Sequence, residues 1–435
     1  MKGESALRFC ASAIGALILL ASFAIASAQT TVLSSDDTAR VRDRVQAMRG
    51  LKFTSKVPIS YLSVDQVETR FKAEFAHQLS ERELETSVEE NKMIGLYPAD
   101  FKIDKDRMAM TALELAGFYD PRRKDLVIVD RPLSVVVPER LRNAVEMYEK
   151  LETAGVLAHE FTHALQDQNY QIGTTQQHNK GNDDRELAFK AVVEGDATLS
   201  GFGVVFGRLD EASMDYLLSH LQEVAPVFMA RTEGMPHAMT ELMLFQYFDG
   251  ACFVADAFHR KGWPGVNALF TKPPQSTQQI LHPELYFDTS TPPKIVKLAG
   301  YARTLHDWTK EDEDTYGELI IKIMLERTMG ESTPYVQAAR KWSGDRIVAL
   351  ARGNSVTVLW MIAFRDQNSA DTFSRLYSGI LDKVLPGSTA RRVEQRSNVV
   401  FAMIGDGAIR SQEFLPEVWK QSTVGGAPIP ATLQP

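Results

Sequence analysis

Cysteine is almost missing from this chain: Cys10 and Cys252 are its only two in 435 residues. Cys10 lies in a stretch expected to be removed, so an internal disulfide is excluded and stability has to come from packed cores. Positive charge is also short. Forty-eight Lys and Arg against 56 Asp and Glu leave a net charge of −8, which provides no footprint for nucleic acid or an anionic membrane surface. Beyond residue 26 no second apolar run is long enough to span a bilayer.

The apolar run that does exist is at the start. Lys2 and Arg8 precede an apolar stretch over 9–26, and Ala26-Ser27-Ala28 has the small residues of a cleavage site. Residues 1–28 therefore read as a secretory signal, with a mature chain beginning at Gln29, secreted or periplasmic and without a membrane anchor. Leu7-Arg8-Phe9 ahead of Cys10 are not the small residues of a lipoprotein signal. The bulk composition, 44% hydrophobic and 24% charged, is that of a globular protein of two or three domains.

Histidine occurs nine times, and two of the nine form His159-Glu160-x-x-His163 inside the segment 156–168. On a helix, residues four apart are rotated by about 400°, so His159 and His163 project from one face, one turn above the other. Two imidazoles so placed can grip one zinc ion, with Glu160 beside them as general base. The neighbours Val156, Leu157, Ala158, Phe161, Thr162, Ala164 and Leu165 are uncharged, which sets the three polar groups in a mostly buried helix.

A zinc site of this kind needs a third protein ligand and an open position. A helix expected over 185–206 carries Glu194 and Asp196 inside an otherwise apolar segment, where a carboxylate wants a metal or a hydrogen-bonded partner. Glu194 is the leading ligand, with Glu186 and Glu241 as rivals. An exposed Glu186, Lys190, Glu194 ladder at helical spacing is the competing reading. Asp167, four residues beyond His163, is a candidate to support its imidazole. For a donor to a developing oxyanion, His282 between flanking prolines and Tyr247 in the apolar segment 242–258 are the candidates. Cys252 in that segment reads as a small buried residue.

Taken together, His159-Glu-Phe-Thr-His-Ala-Leu-Gln-Asp-Gln168, Glu194-Gly-Asp-Ala197 and Pro273-Pro-Gln-Ser-Thr-Gln-Gln-Ile-Leu-His-Pro283 resemble zinc metallopeptidases of the gluzincin group. More closely they resemble a set of largely uncharacterised secreted bacterial proteins classed as metallopeptidases. The resemblance covers about residues 49–287. It implies a zinc cofactor, a peptide or protein substrate, a zincin-like domain with a small mixed sheet, and Glu194 as third ligand. Where gluzincins place a supporting aspartate four residues after the ligand glutamate, this chain has Thr198, and Asp196 is the candidate substitute.

The remaining chain divides around that segment. The expected fold class is α+β and predominantly helical. Residues 29–115 read as an α/β lead-in, with a strand at 57–62 and a helix over 64–90 bent near 79–81 and opened by a Ser63/Gln66 capping box. Residues 116–310 form the metal-binding domain. It opens with a hairpin turning at Asp120-Pro121, whose edge would suit an extended substrate. A helix from Pro138 to residue 150, an interruption at Gly155, the metal helix to residue 168 and a polar loop over 169–184 containing His178 follow. Residues 317–421 read as a separate α+β domain, with strands at 347–351, 356–364, 391–396 and 399–404 and helices at 318–329 and 370–385. The tail 422–435, rich in Gly, Pro, Ala and Thr, is expected to be disordered. The function so read is a secreted zinc peptidase. The alternative is a zinc-binding scaffold or interaction protein without turnover.

Overall fold

The computed structural model describes residues 33–78, 81–102, 117–130, 142–179, 181–219, 221, 236–329, 333–405 and 413–430. The expected signal segment, Pro138 and the last five residues lie outside these. Among the described residues, no helix is long and apolar enough to cross a membrane.

The fold is α+β. Helix α1 (Ser35–Arg49) is followed by strand β1 (Ile59–Ser63), α2 (Val64–Gln78) and α3 (Glu81–Met93). The capping box opens α2: the Gln66 N–H donates to Ser63 Oγ at 3.3 Å, and the Ser63 N–H donates to Gln66 Oε1 at 2.9 Å. The hairpin β2 (Gly117–Asp120) and β3 (Asp125–Asp130) turns through Lys124, whose φ is 57°. β1 pairs parallel with β3 and β2 antiparallel to it, giving the order β1-β3-β2 with β2 at an edge among the described residues. The lead-in thus contributes a strand to the sheet that precedes the helix carrying His159 and His163.

That helix, α4, runs unbroken from Arg142 to Tyr170. Gly155 does not interrupt it, in contrast to the sequence reading, because it is buried against Val205 of the following long helix, where a small residue suits helix packing. Gln171, at φ 53°, ends α4, and α5 (Ile172–His178) starts at once where a loop was expected. Buried Ile172 pins that turn to the core, and His178 is exposed, its Nδ1 2.8 Å from the Thr174 carbonyl. Helix α6 (Asp183–Phe206) is capped by Asn182 and closed by Gly207 at φ 76°.

α7 (His237–Leu244) runs through a π-helical turn (Phe245–Asp249) into α8 (Gly250–Thr271), which kinks at Gly262-Trp263-Pro264. Short helices α9 (Thr277–Leu281) and α10 (Glu284–Phe287) precede β4 (Val296–Lys297) and β5 (Thr309–Asp314). Then come α11 (Gly317–Met329), α12 (Thr333–Arg340), β6 (Trp342–Arg352), β7 (Ser355–Phe364), α13 (Gln367–Val384), β8 (Arg391–Arg396), β9 (Val399–Ile404) and α14 (Phe414–Gln421). The second sheet is antiparallel in the order β5-β6-β7-β9-β8.

Its two faces are both apolar, as sheets covered on both sides require. Trp360, Ile362, Phe364, Ala402 and Ile404 face the main core, which runs on without a break through α11, α13, α3, α6 and α8. Leu359, Met361, Phe401 and Met403 face a second core with Trp308, Phe414, Val418 and Trp419. The tail beyond Ser422 is ordered through residue 430: β10 (Thr423–Val424) pairs with β4 and with β11 (Ala427–Pro428), and Ile429 is buried in the second core. Its Gly and Pro content concealed two anchoring apolar residues, Val424 and Ile429.

Candidate metal centre

The two histidines sit on the buried face of α4 as their spacing dictates. Their rings meet edge to face with centroids 4.6 Å apart, and the Nε2 atoms are 3.0 Å from each other. Glu194 approaches from α6, with Oε2 3.2 Å from His159 Nε2 and 3.4 Å from His163 Nε2. His159, His163 and Glu194 are the one group of this kind among the described residues whose ligand atoms lie close enough to hold a metal ion.

Three acceptor atoms this close repel one another unless a proton or a cation lies among them. Burial alone would lower the His163 pKa, but the charge and hydrogen bond of Glu194 and the charge of Glu160 lift it to about 9. Burial likewise opposes ionisation of Glu194, yet His163 and His159 hold its carboxyl far below the usual range. Two imidazoles and one carboxylate are among the donor sets that a zinc ion takes.

The close approach of the helices depends on two glycines. A Cβ on Gly195 would overlap the Gly250 carbonyl, and one on Gly250 would overlap the Ala191 carbonyl. α6 and α8 therefore touch backbone to backbone beside Glu194. The π-helical turn just before Gly250 carries Tyr247, fully buried, with its ring stacked 6.3 Å from that of His159. Such turns occur mostly as single insertions, often at functional sites. The Tyr247 hydroxyl has no hydrogen bond of ordinary geometry. Burial, the charges of Glu194 and Glu160 and a hydrogen-bonding approach to the Glu194 carboxylate push its pKa well up, so it stays a donor.

Glu160 is buried and faces the same group. Its carboxylate accepts from the backbone N–H of Tyr119, on edge strand β2. Burial raises its pKa, with His159 and His163 opposing.

His163 is not supported by Asp167. Its Nδ1 is 3.0 Å from Oε1 of Gln166, whose Nε2 donates to the Val193 carbonyl at 3.0 Å and to Asp196 Oδ2 at 2.9 Å. Asp167 instead accepts from the Tyr119 hydroxyl at 2.9 Å and pairs with Lys124. An amide at this position does what a carboxylate could not: while its oxygen meets the imidazole, its nitrogen donates to two acceptors, the Val193 carbonyl and Asp196. Asp196 does stand behind the centre, one step removed, ion-paired with Arg49 at 2.8 Å. The Nδ1 of His159 is buried without a partner among the described residues.

The other candidates lie elsewhere. His282 bonds Glu318 of α11 at 2.7 Å, in a buried polar group with Gln278, and is not among the residues gathered around Glu194. Glu186 pairs with Lys190 at 2.8 Å, one half of the competing ladder, while Glu194 turns to the histidines, and Glu241 lies 3.9 Å from His237. Cys252 is exposed, not buried, on the outer side of α8. Gln166 and Arg49 do not stand out in the sequence. Arg49 has one signal there: it ends a mixed-charge helix just ahead of Gly50, a position that buries it against the helices that follow.

A family model described as "Domain of unknown function (DUF8575)" matches residues 303–430, under a third of the chain and wholly outside the metal centre. No curated protein and no solved structure matches the chain.

Proposed function

We propose that the protein is a zinc-dependent peptidase of zincin-like architecture, with His159, His163 and Glu194 as ligands and Glu160 as general base. The observation that carries this reading is the convergence within 3.0–3.4 Å of ligand atoms from two buried histidines and the half-buried Glu194, with Glu160 adjacent to His159 on the same helix. Zinc supplies Lewis acidity there, making water acidic enough to lose a proton near neutral pH and polarising a substrate carbonyl.

The chain's own groups do the rest. Burial raises the Glu160 carboxyl, the direction that favours its work as a general base. It takes a proton from the attacking water as the C–O bond forms and returns it to the amine nitrogen as the C–N bond breaks. Tyr247 holds a buried hydroxyl donor beside the Glu194 carboxylate, close enough to the ligand group to serve charge that develops in the transition state. Tyr119, through its backbone N–H, orients Glu160 from an edge strand, where an extended peptide backbone could pair.

The test is metal analysis of the purified full chain, followed by cleavage of a broad peptide library by wild type and Glu160→Gln. One equivalent of zinc in both proteins with turnover lost in the variant supports the reading. Zinc-free wild type, or turnover unchanged in the variant, sinks it; zinc without cleavage by wild type favours the scaffold.

A further inference from the structure

We infer that Arg49 is a positioning residue for the metal centre: the N-terminal helix α1 fixes the ring of His163 from behind, through Asp196 and Gln166. This rests on the zinc site proposed above and deepens it.

The chain of contacts leaves little freedom. Both N–H bonds of the Gln166 amide are committed, one to the Val193 carbonyl and one to Asp196 Oδ2. Its oxygen is therefore the atom that faces His163 Nδ1 at 3.0 Å. An amide oxygen only accepts, so the imidazole must carry its hydrogen on Nδ1 and turn the Nε2 lone pair toward His159 and Glu194. Were the amide to rotate, its NH2 would face Nδ1 and favour the tautomer with hydrogen on Nε2, aimed into the ligand group.

Asp196 keeps the amide from rotating, and Arg49 keeps Asp196. The carboxylate is wholly buried and meets Arg49 Nε at 2.8 Å and Nη2 at 3.1 Å. A carboxylate at that depth without a cation is costly. The guanidinium is itself held by Asn267 Oδ1 at 2.8 Å and by the face of Trp263 at 4.2 Å, both on α8. Helix α1 is seated for this: Val45 is fully buried with Leu157, Phe161 and Leu165 of α4, and Met48 packs so tightly on Gly203 of α6 that a Cβ there would overlap it.

A mechanical clamp of three helices would look similar, and the metal separates the two. Zinc affinity by chelator competition, the visible spectrum of the cobalt-loaded protein and the melting curve of the metal-free protein would be compared in the full chain. The variants are Gln166→Leu, Arg49→Met, Arg49→Lys and the pair Arg49→Met with Asp196→Asn. Gln166→Leu is expected to weaken zinc about 10- to 100-fold and to change the cobalt spectrum. Arg49→Met is expected to weaken it about tenfold or more, and Arg49→Lys less. The double variant should bind within a few-fold of wild type, because the amide introduced by Asp196→Asn still offers Gln166 an acceptor and needs no cation. Wild-type affinity in Gln166→Leu, or a double variant that melts like Arg49→Met and binds zinc no better, overturns the inference. Should Arg49→Met fail to fold, Gln166→Leu and Arg49→Lys decide alone. A wild type that takes up no zinc refutes the site itself.

Discussion

Gly195 of α6 and Gly250 of α8 meet so closely that neither can carry a Cβ without overlapping backbone of the opposing helix. The contact sets how near Tyr247 comes to Glu194. Gly195→Ala should force the helices apart, costing about 1–3 kcal/mol as overpacked sites do and weakening zinc. Unchanged melting temperature and zinc affinity would show that the crossing is not needed.

Tyr247→Phe separates chemistry from stability. The hydroxyl is buried with Glu194 as its polar neighbour, so its removal from the metal-free protein should change stability by no more than about 1 kcal/mol. Turnover should fall by about 10²-fold or more, as when an oxyanion donor is lost, with zinc retained. A variant that cleaves as well as wild type removes Tyr247 from the reaction.

Asp167→Asn is expected to leave zinc affinity within about twofold of wild type, since Gln166 and not Asp167 meets His163. Its effect should fall on the β2–β3 turn, through lost pairing with Lys124. A drop in zinc affinity like that of Gln166→Leu would restore Asp167 to the role expected from the sequence.

Asp184 gives a pH dependence independent of the metal. Burial raises its carboxyl to about 8, with Asp345 and Glu318 adding to the shift and the Thr277 hydrogen bonds opposing it. The folded state then holds a proton that the unfolded chain has released above about pH 4. Stability should therefore fall as pH rises between about 4 and 8, by an amount on the order of a few kcal/mol. In Asp184→Asn that slope should shrink; chemical denaturation across the window, with an identical slope in both proteins, would count against it.

What was legible in the sequence was what a single helix decides. His159, Glu160 and His163 are fixed by one turn of α4, and Glu194 stood out as a carboxylate among apolar residues. The β8 and β9 bounds followed from their turn and branched residues. Choices made by distant chain were not legible. Gln166 and Asp167 lie at neighbouring positions on one helix end, and only Asp196 and Tyr119, arriving from other elements, decide which faces His163. His282 looked available because its partner Glu318 is 36 residues away. The order in residues 423–430 likewise depends on β4, more than 120 residues upstream.

The match over residues 303–430 marks a unit that recurs in sequence, yet it is not a unit that could leave this chain intact. Outside its limits, the end of α3 reaches into it three times: Tyr316 donates to Glu90, Arg327 to the Gly95 carbonyl and Tyr377 to the Ile94 carbonyl. Ile94, Leu96 and Tyr97 share one core with Trp360 and Tyr377. Excised at residue 303, the sheet would present that apolar strip to water and invite self-association, while α6, which carries Glu194, would lose part of the core it packs in. Inheritance and folding draw their borders at different places here: α6, which carries Glu194, lies outside the one and inside the other.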